Sequence, residues 1–207
     1  MNIIFWVLLT LSILLLSTGS FFAADQPIAL WIHDNLQTGP ITNLFAAITV
    51  LGDSLWSLLL GLFLFIAGRG RNQRLAISGH FLMATVATSG IVVDIIKFIS
   101  GRSRPALLFS EHIATFSFFR TEHLWTSFPS GHSATAWSIA MFLALLFPKW
   151  RHLSILFGVL VAASRVVLNY HYLSDVIIGS YLGGITSVLL YTTFFSSKLT
   201  LNQRETI

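Results

Sequence analysis

The sequence predicts an all-α, polytopic membrane protein with six transmembrane helices, and three observations carry that expectation. Only 10% of the 207 residues are charged while 55% are apolar, and the mean hydropathy is +0.78. A soluble domain of ordinary composition carries roughly 25% charged residues. The apolar residues gather in six runs, most of them close to the roughly 20 residues that a spanning helix needs. Between the runs the basic residues fall unevenly, in a pattern that alternates along the chain. Such a chain needs lipid to cover its surface, which excludes a soluble enzyme or a nucleic-acid binder. The lack of cysteine excludes disulfides and thiolate metal sites.

The first run, Ile3 to Ser20, has no Lys or Arg ahead of it, and Phe22 suits a cleavage site poorly. It therefore reads as a retained span rather than as a signal peptide. Asp25 to Asp53 follows, with Pro27, Pro40, a short apolar run from Ile28 to Ile32 and no basic residue. That composition fits an outer segment holding an interfacial helix or a partly buried turn. Asp53 reads as the cap of the second span, Leu55 to Ala67, which is short unless it starts near Ile41.

The third span covers Leu75 to Ile99, and within it His80 reads as a packed, hydrogen-bonded histidine. A second outer segment, Gly101 to Phe128, is rich in Phe and holds Trp125, residues that favour the headgroup zone. The fourth, fifth and sixth spans cover Ser133 to Phe147, Leu153 to Leu168 and Val176 to Phe195. On the sixth, Gly179, Gly183 and Gly184 with Ser180 and Ser187 form a face suited to close helix packing within the monomer. No repeat or low-complexity tract interrupts the chain, so residues 1–207 form one membrane domain.

Charge placement orients the bundle. Arg69, Arg71, Arg74, Lys149, Arg151, Lys198 and Arg204 fall on one side of six alternating spans, and the positive-inside rule makes that side cytoplasmic, with both termini. Lys97, Arg102, Arg104, Arg120 and Arg165 fall on the opposite side, where orientation gives them no purpose.

Three of those five belong to clusters that combine cations with histidine: Lys97 to Arg104-Pro105, then Pro129-Ser130-Gly131-His132, then Ser164-Arg165 to His171 and Asp175. Ionisable residues beside spans are costly against lipid and usually serve a function inside the bundle. The residue types suit phosphoryl transfer. Lys97, Arg104 and Arg165 supply fixed positive charge, and an arginine fork matches phosphate oxygens two at a time. Ser130 adds a hydroxyl, and the Gly131 N–H lies at a helix start, where anions bind. Two histidines can divide the remaining work, one attacking phosphorus and the other protonating the leaving oxygen. On a helix, His171 and Asp175 share a face, so the carboxylate can hold one imidazole nitrogen and leave the other free to attack. His132 has no carboxylate at helical spacing and is the better general acid.

These clusters resemble the three signature motifs of the type 2 phosphatidic acid phosphatase superfamily, which includes bacterial lipid phosphatases, glucose-6-phosphatase and the vanadium haloperoxidases. The motif core is 97–175, every spacing is intact, and the six-span arrangement extends the likeness over nearly the whole chain. The resemblance implies phosphate binding by Lys97, Arg104, Ser130, Gly131 and Arg165, acid catalysis by His132, and a phosphohistidine at His171 steadied by Asp175. It implies no metal, no cofactor and no obligate protein partner. The expected activity is hydrolysis of a lipid phosphate or pyrophosphate at the outer face of a bacterial inner membrane. Undecaprenyl pyrophosphate or the 1-phosphate of lipid A is favoured over phosphatidylglycerophosphate and phosphatidic acid. A haloperoxidase and a non-catalytic lipid-phosphate binder are the rivals. The first is soluble elsewhere in the family, and the second would not need both His171 and Asp175.

Other polar residues receive blander readings. Arg102 and Arg120 are expected to be solvated loop charges, and His33 and His112 surface residues. His123 lies close enough to the second motif to line an entrance. Asp94, one turn before Lys97, is expected either to steady that lysine or to make a structural hydrogen bond.

Overall fold

Residues 3–36 and 38–199 are described by a computed structural model, and among them the apolar runs fold into helices with no strand. Arg204 lies outside the described residues. Helix α1 (Ile3–Ala23) is followed after one residue by α2 (Asp25–Asn35), whose Pro27 falls in the first turn, where no backbone N–H is needed. Helix α3 (Pro40–Thr49) also begins on proline and passes through a 3-10 turn at Val50–Gly52 into α4 (Ser54–Gly68), 43° away in direction. The bend falls at Asp53, which caps α4 as expected by accepting from the Leu55 N–H at 2.9 Å.

Helix α5 (Gln73–Ser100) is capped at its start by Asn72. It stops at Gly101, whose φ of +54° closes the helix in the left-handed conformation. Only glycine fits there, because a Cβ would overlap the Ser117 carbonyl. A short α6 (Pro105–Glu111) leads to α7 (Gly131–Leu146). Then come α8 (Arg151–Val167) and α9 (Leu173–Leu190), which continues through a π-turn to residue 199.

Four helical stretches are long and apolar enough to cross a membrane, Ile3–Ala23, Gln73–Ser100, Pro148–Val167 and Leu173–Leu199. A fifth is reached if the bent pair α3–α4 counts as one. Helix α7, with 16 residues, is shorter than the others. Each expected span thus falls on a helix, but the second is bent and the fourth is short. The outer segment Asp25 to Asp53 resolves into α2 and α3.

Helix α7 sits at the centre, packed on α5, α8 and α9, while α4 lies against α5, α1 against α9 and α3 against α8. The glycines of α9 make this possible. Gly179 faces the Ser130 carbonyl and Gly183 the Ala134 carbonyl, so closely that a Cβ at either would overlap it. The small-residue face therefore packs within the monomer. Hydroxyls join α5 to both of these helices, with Thr85 2.5 Å from Ser187 on α9 and Ser89 2.9 Å from Ser138 on α7. Thr10 joins α1 to Tyr181 at 2.6 Å. Phe81, Leu82, Val86, Phe142 and Phe195 fill the end of the bundle near the start of α5. His80 departs from its expected hydrogen-bonded packing: it is exposed on α5 and meets the rings of Phe65 and Phe195 edge-on.

Candidate active site

The antiparallel packing brings four helix ends together, the C-termini of α5 and α8 and the N-termini of α7 and α9. Each motif contributes at one of these ends. Lys97 lies in the last turn of α5, and its Nζ comes within 3.3 Å of the point where a Cβ on Gly131 would stand. Gly131 is the first residue of α7, so its N–H is one of the helix's unpaired donors. Ser130, fully buried, caps that helix and accepts from the Ser133 Oγ at 2.9 Å. His132 follows on the same turn, against Gly52, where a Cβ would come within 3.3 Å of its side chain.

Arg104 stands just before α6, where Pro105 supplies the helix start. Its guanidinium is held by carbonyls: Nε donates to His123 at 2.8 Å and Nη1 to Tyr170 at 3.1 Å. The same Nη1 lies 3.5 Å from Nε2 of His171. Arg165, in the last turn of α8, donates from Nη1 to Thr49 Oγ1 at 2.6 Å and stacks on the Tyr170 ring. Its Nε–H is buried with no partner among the described residues. A buried donor left unpaired is costly, and an anion would satisfy it.

The spacing between Arg165 and His171 has a local cause. After α8 the chain turns at Asn169 (φ 53°), and the Arg165 carbonyl accepts from the N–H groups of both Tyr170 and His171. This turn sets the imidazole beside the guanidiniums. His171 therefore precedes α9 rather than lying on it, so the expected shared helical face is replaced by a cap. The Asp175 carboxylate turns back toward the start of α9, accepting from the Tyr172 N–H at 3.0 Å and the Ser127 Oγ at 2.6 Å. Nδ1 of His171 lies 3.6 Å from Asp175 Oδ2 and 3.5 Å from Ser127 Oγ. One imidazole nitrogen thus faces the carboxylate and the other faces Arg104. Burial, reinforced by the charges of Arg104 and Arg165, lowers the His171 pKa to about 3 against the pull of Asp175, so the ring is neutral.

The polar residues at the margin separate into three cases. Arg120 pairs with exposed Glu122 at 3.2 Å, as a loop charge would. Asp94 reaches Lys97 only at 4.0 Å and is largely exposed. His123 is held below its ordinary pKa chiefly by the Arg104 charge, which shows that the cationic field extends to this loop.

Arg102 requires a correction. It is not a solvated loop charge: it is 4% exposed, with Nη2 donating to Asp25 Oδ2 at 2.7 Å and Nη1 to Asp175 Oδ1. The loop 101–104 is drawn inward because Ser103 and Arg104 donate to the carbonyls of Thr115 and Leu124, and the Arg102 carbonyl accepts from Ser127. Asp25, Thr49 and Ser127 belong to no motif, and of these Asp25 alone has a signal in the sequence, as the first carboxylate beyond an apolar run, where a buried acid needs a cation.

The arrangement offers a neutral imidazole aimed into a cluster of three cations and a helix N-terminus, with a second histidine on the adjacent turn. The family described as the PAP2 superfamily matches residues 78–198, a stretch that includes every motif residue. A lipid A 1-phosphatase of Rhizobium etli is 34% identical over 161 residues, covering 72% of this chain and 69% of that protein. One from Rhizobium johnstonii is 33% identical over 167 residues, with 75% and 68% covered. The fold is similar to that of a transmembrane PAP2-type phosphatidylglycerolphosphate phosphatase of Bacillus subtilis, at a TM-score of 0.67 and 26% identity over 93% of this chain and 96% of that one. It is also similar, as a fold alone, to Aquifex aeolicus LpxE, at 0.62 and 22% over 82% and 96%.

Proposed function

The chain belongs to the PAP2 superfamily and is a membrane lipid phosphatase of that type, and from this premise we propose that it hydrolyses the 1-phosphate of lipid A through a phosphohistidine on His171. The observation that carries the mechanism is the two-sided setting of the His171 ring. Nδ1 faces Asp175 and Ser127 while Nε2 faces Arg104. A neutral ring so held keeps its proton on Nδ1 and presents the Nε2 lone pair to phosphorus.

Lys97, Arg104, Arg165, the Ser130 hydroxyl and the Gly131 N–H hold the phosphate oxygens, and the unpaired Arg165 Nε–H is one of the donors that the anion satisfies. Nε2 attacks in line. His132 protonates the lipid oxygen as it leaves, and water then cleaves the phosphohistidine with the proton movements reversed.

The lipid A substrate is supported by the likeness to the two Rhizobium proteins. The Bacillus structure favours phosphatidylglycerophosphate as a second reading. We count six spans, taking the α3–α4 pair as one and α7 as another; the placement of the basic residues supports cytoplasmic termini and a site at the outer face of the inner membrane.

The test is phosphate release by purified protein in detergent from lipid A 1-phosphate, undecaprenyl pyrophosphate, phosphatidylglycerophosphate and phosphatidic acid. Lipid A is expected to turn over fastest, and His171→Ala to abolish release. Full activity in that variant would sink the mechanism, and preference for another lipid would reassign the substrate.

A further inference from the structure

Asp175 is fully buried, and one of its oxygens is committed to Arg102. Arg102 is itself enclosed by aromatic faces, with its guanidinium carbon 4.5 Å from the centre of the Tyr172 ring and 4.8 Å from that of Phe21. A single guanidinium facing a single carboxylate would neutralise it, leaving less attraction for the imidazole beyond. Here a second carboxylate intervenes. Asp25, 2% exposed, takes the other arm of the fork at 2.7 Å, and it is fixed in turn by Ser20 Oγ and the Ser174 N–H, both at 2.9 Å. Ser174 Oγ ties the three groups together, accepting from Arg102 at 2.7 Å and donating to Asp25.

We propose that Arg102 and Asp25 are positioning residues for the reaction, forming a charge-balanced clamp that fixes Asp175 without cancelling its charge. Two carboxylates and one guanidinium leave a net charge of −1 beside His171. When Nε2 forms its bond to phosphorus and the bond to the lipid oxygen breaks, the ring keeps its Nδ1 proton and becomes cationic. The clamp then completes a neutral, buried quartet, so it stabilises the phosphorylated state more than the resting one. Asp25 comes from the corner between α1 and α2, about 150 residues before Asp175 in sequence, which brings the first helices into the chemistry. Neither residue reaches the substrate phosphate through this geometry. Their effect passes through Asp175.

This inference rests on His171 being the nucleophile, so the test runs wild type, His171→Ala, Asp25→Asn, Arg102→Lys and Arg102→Gln side by side. The assay measures kcat and KM on the lipid phosphate that the wild type prefers, with folding followed by monodispersity and thermal unfolding in detergent. Losing the outer carboxylate of a metal-bound histidine costs roughly 10–100-fold, and by analogy Asp25→Asn is expected to lower kcat by about 10-fold with KM unchanged. Arg102→Lys keeps the charge but reaches only one carboxylate well, and should retain more kcat than Arg102→Gln. The double variant Asp25→Asn/Arg102→Gln should be no slower than Arg102→Gln alone, because the two act as one unit.

Wild-type kcat in folded Asp25→Asn would overturn the clamp, as would a loss carried by KM. Failure of both Asp25→Asn and Arg102→Lys to fold would also overturn it, by reducing the pair to a structural tie. If His171→Ala stays active, the nucleophile assignment fails instead, and the two failures are thereby told apart.

Discussion

Nδ1 of His171 has two oxygen neighbours at nearly equal distance, and only one of them, Asp175, is visible in a motif. The other, Ser127, belongs to no motif but donates to the same carboxylate oxygen at 2.6 Å. Ser127→Ala removes that donor without touching Lys97, Arg104 or Arg165, and by analogy with outer partners of metal-bound histidines kcat should fall about 10-fold with KM unchanged, as read in lipid phosphatase kinetics. A second consequence concerns acid. His171 titrates at about 3 in the fold against an ordinary 6.5, so the unfolded chain binds the proton that the folded one refuses. The stability this contributes is complete above pH 6.5 and is lost as the pH falls from 6.5 toward 3. The unfolding temperature in detergent should drop across that window, and His171→Gln should flatten the slope. At this scale the legible residues were those at fixed local spacing. The burial of Arg102 is not legible at local spacing because it depends on Asp25 and Asp175, each more than 70 residues away along the chain.

Helices were legible wherever an apolar run was long and ended in a turn signal. The span from Leu75 to Ile99 became α5 because Asn72 and Gly101 cap it, and the glycine face of the sixth run found its partner in α7. What periodicity could not separate were the short helices. For the 11-residue α2 the composition fits an interfacial helix or a turn, for the 10-residue α3 it also fits a start of the second span near Ile41, and nothing in the outer segment marks α6. Such lengths are marginal on their own and are held by tertiary contact. The α7–α9 interface offers the clearest test at this scale. Gly183→Ala would press a methyl group into the Ala134 carbonyl, and overpacking of this kind costs about 1–3 kcal/mol. Thermal unfolding in detergent should show that loss, while Gly184→Ala, which meets only the Met141 and Trp137 side chains at 3.7 Å or more, should be nearly neutral.

Across the whole molecule, charge is divided by the helix directions themselves. Arg69 and Arg71 lie between α4 and α5, Arg74 lies in the first turn of α5, and Lys149 and Arg151 lie at the α7–α8 turn. These are the ends opposite to those that carry Lys97, Ser130, Arg165 and Asp175. The five basic residues at the site end have local partners or neighbours instead: Lys97, Arg104 and Arg165 gather around His171, Arg102 pairs with Asp25 and Asp175, and Arg120 pairs with Glu122. Discounting them leaves the loop bias one-sided, and loop bias sets orientation. A fluorescent reporter fused after Phe147 should therefore light up in the cytoplasm, and an alkaline phosphatase reporter placed near Glu111 should be active outside. The reverse pattern would put the site on the cytoplasmic face. Replacing Arg69, Arg71 and Arg74 together by Ala gives a graded check. It removes three basic charges from the end opposite the site without entering it, so part of the population should insert inverted while the rest keeps full kcat.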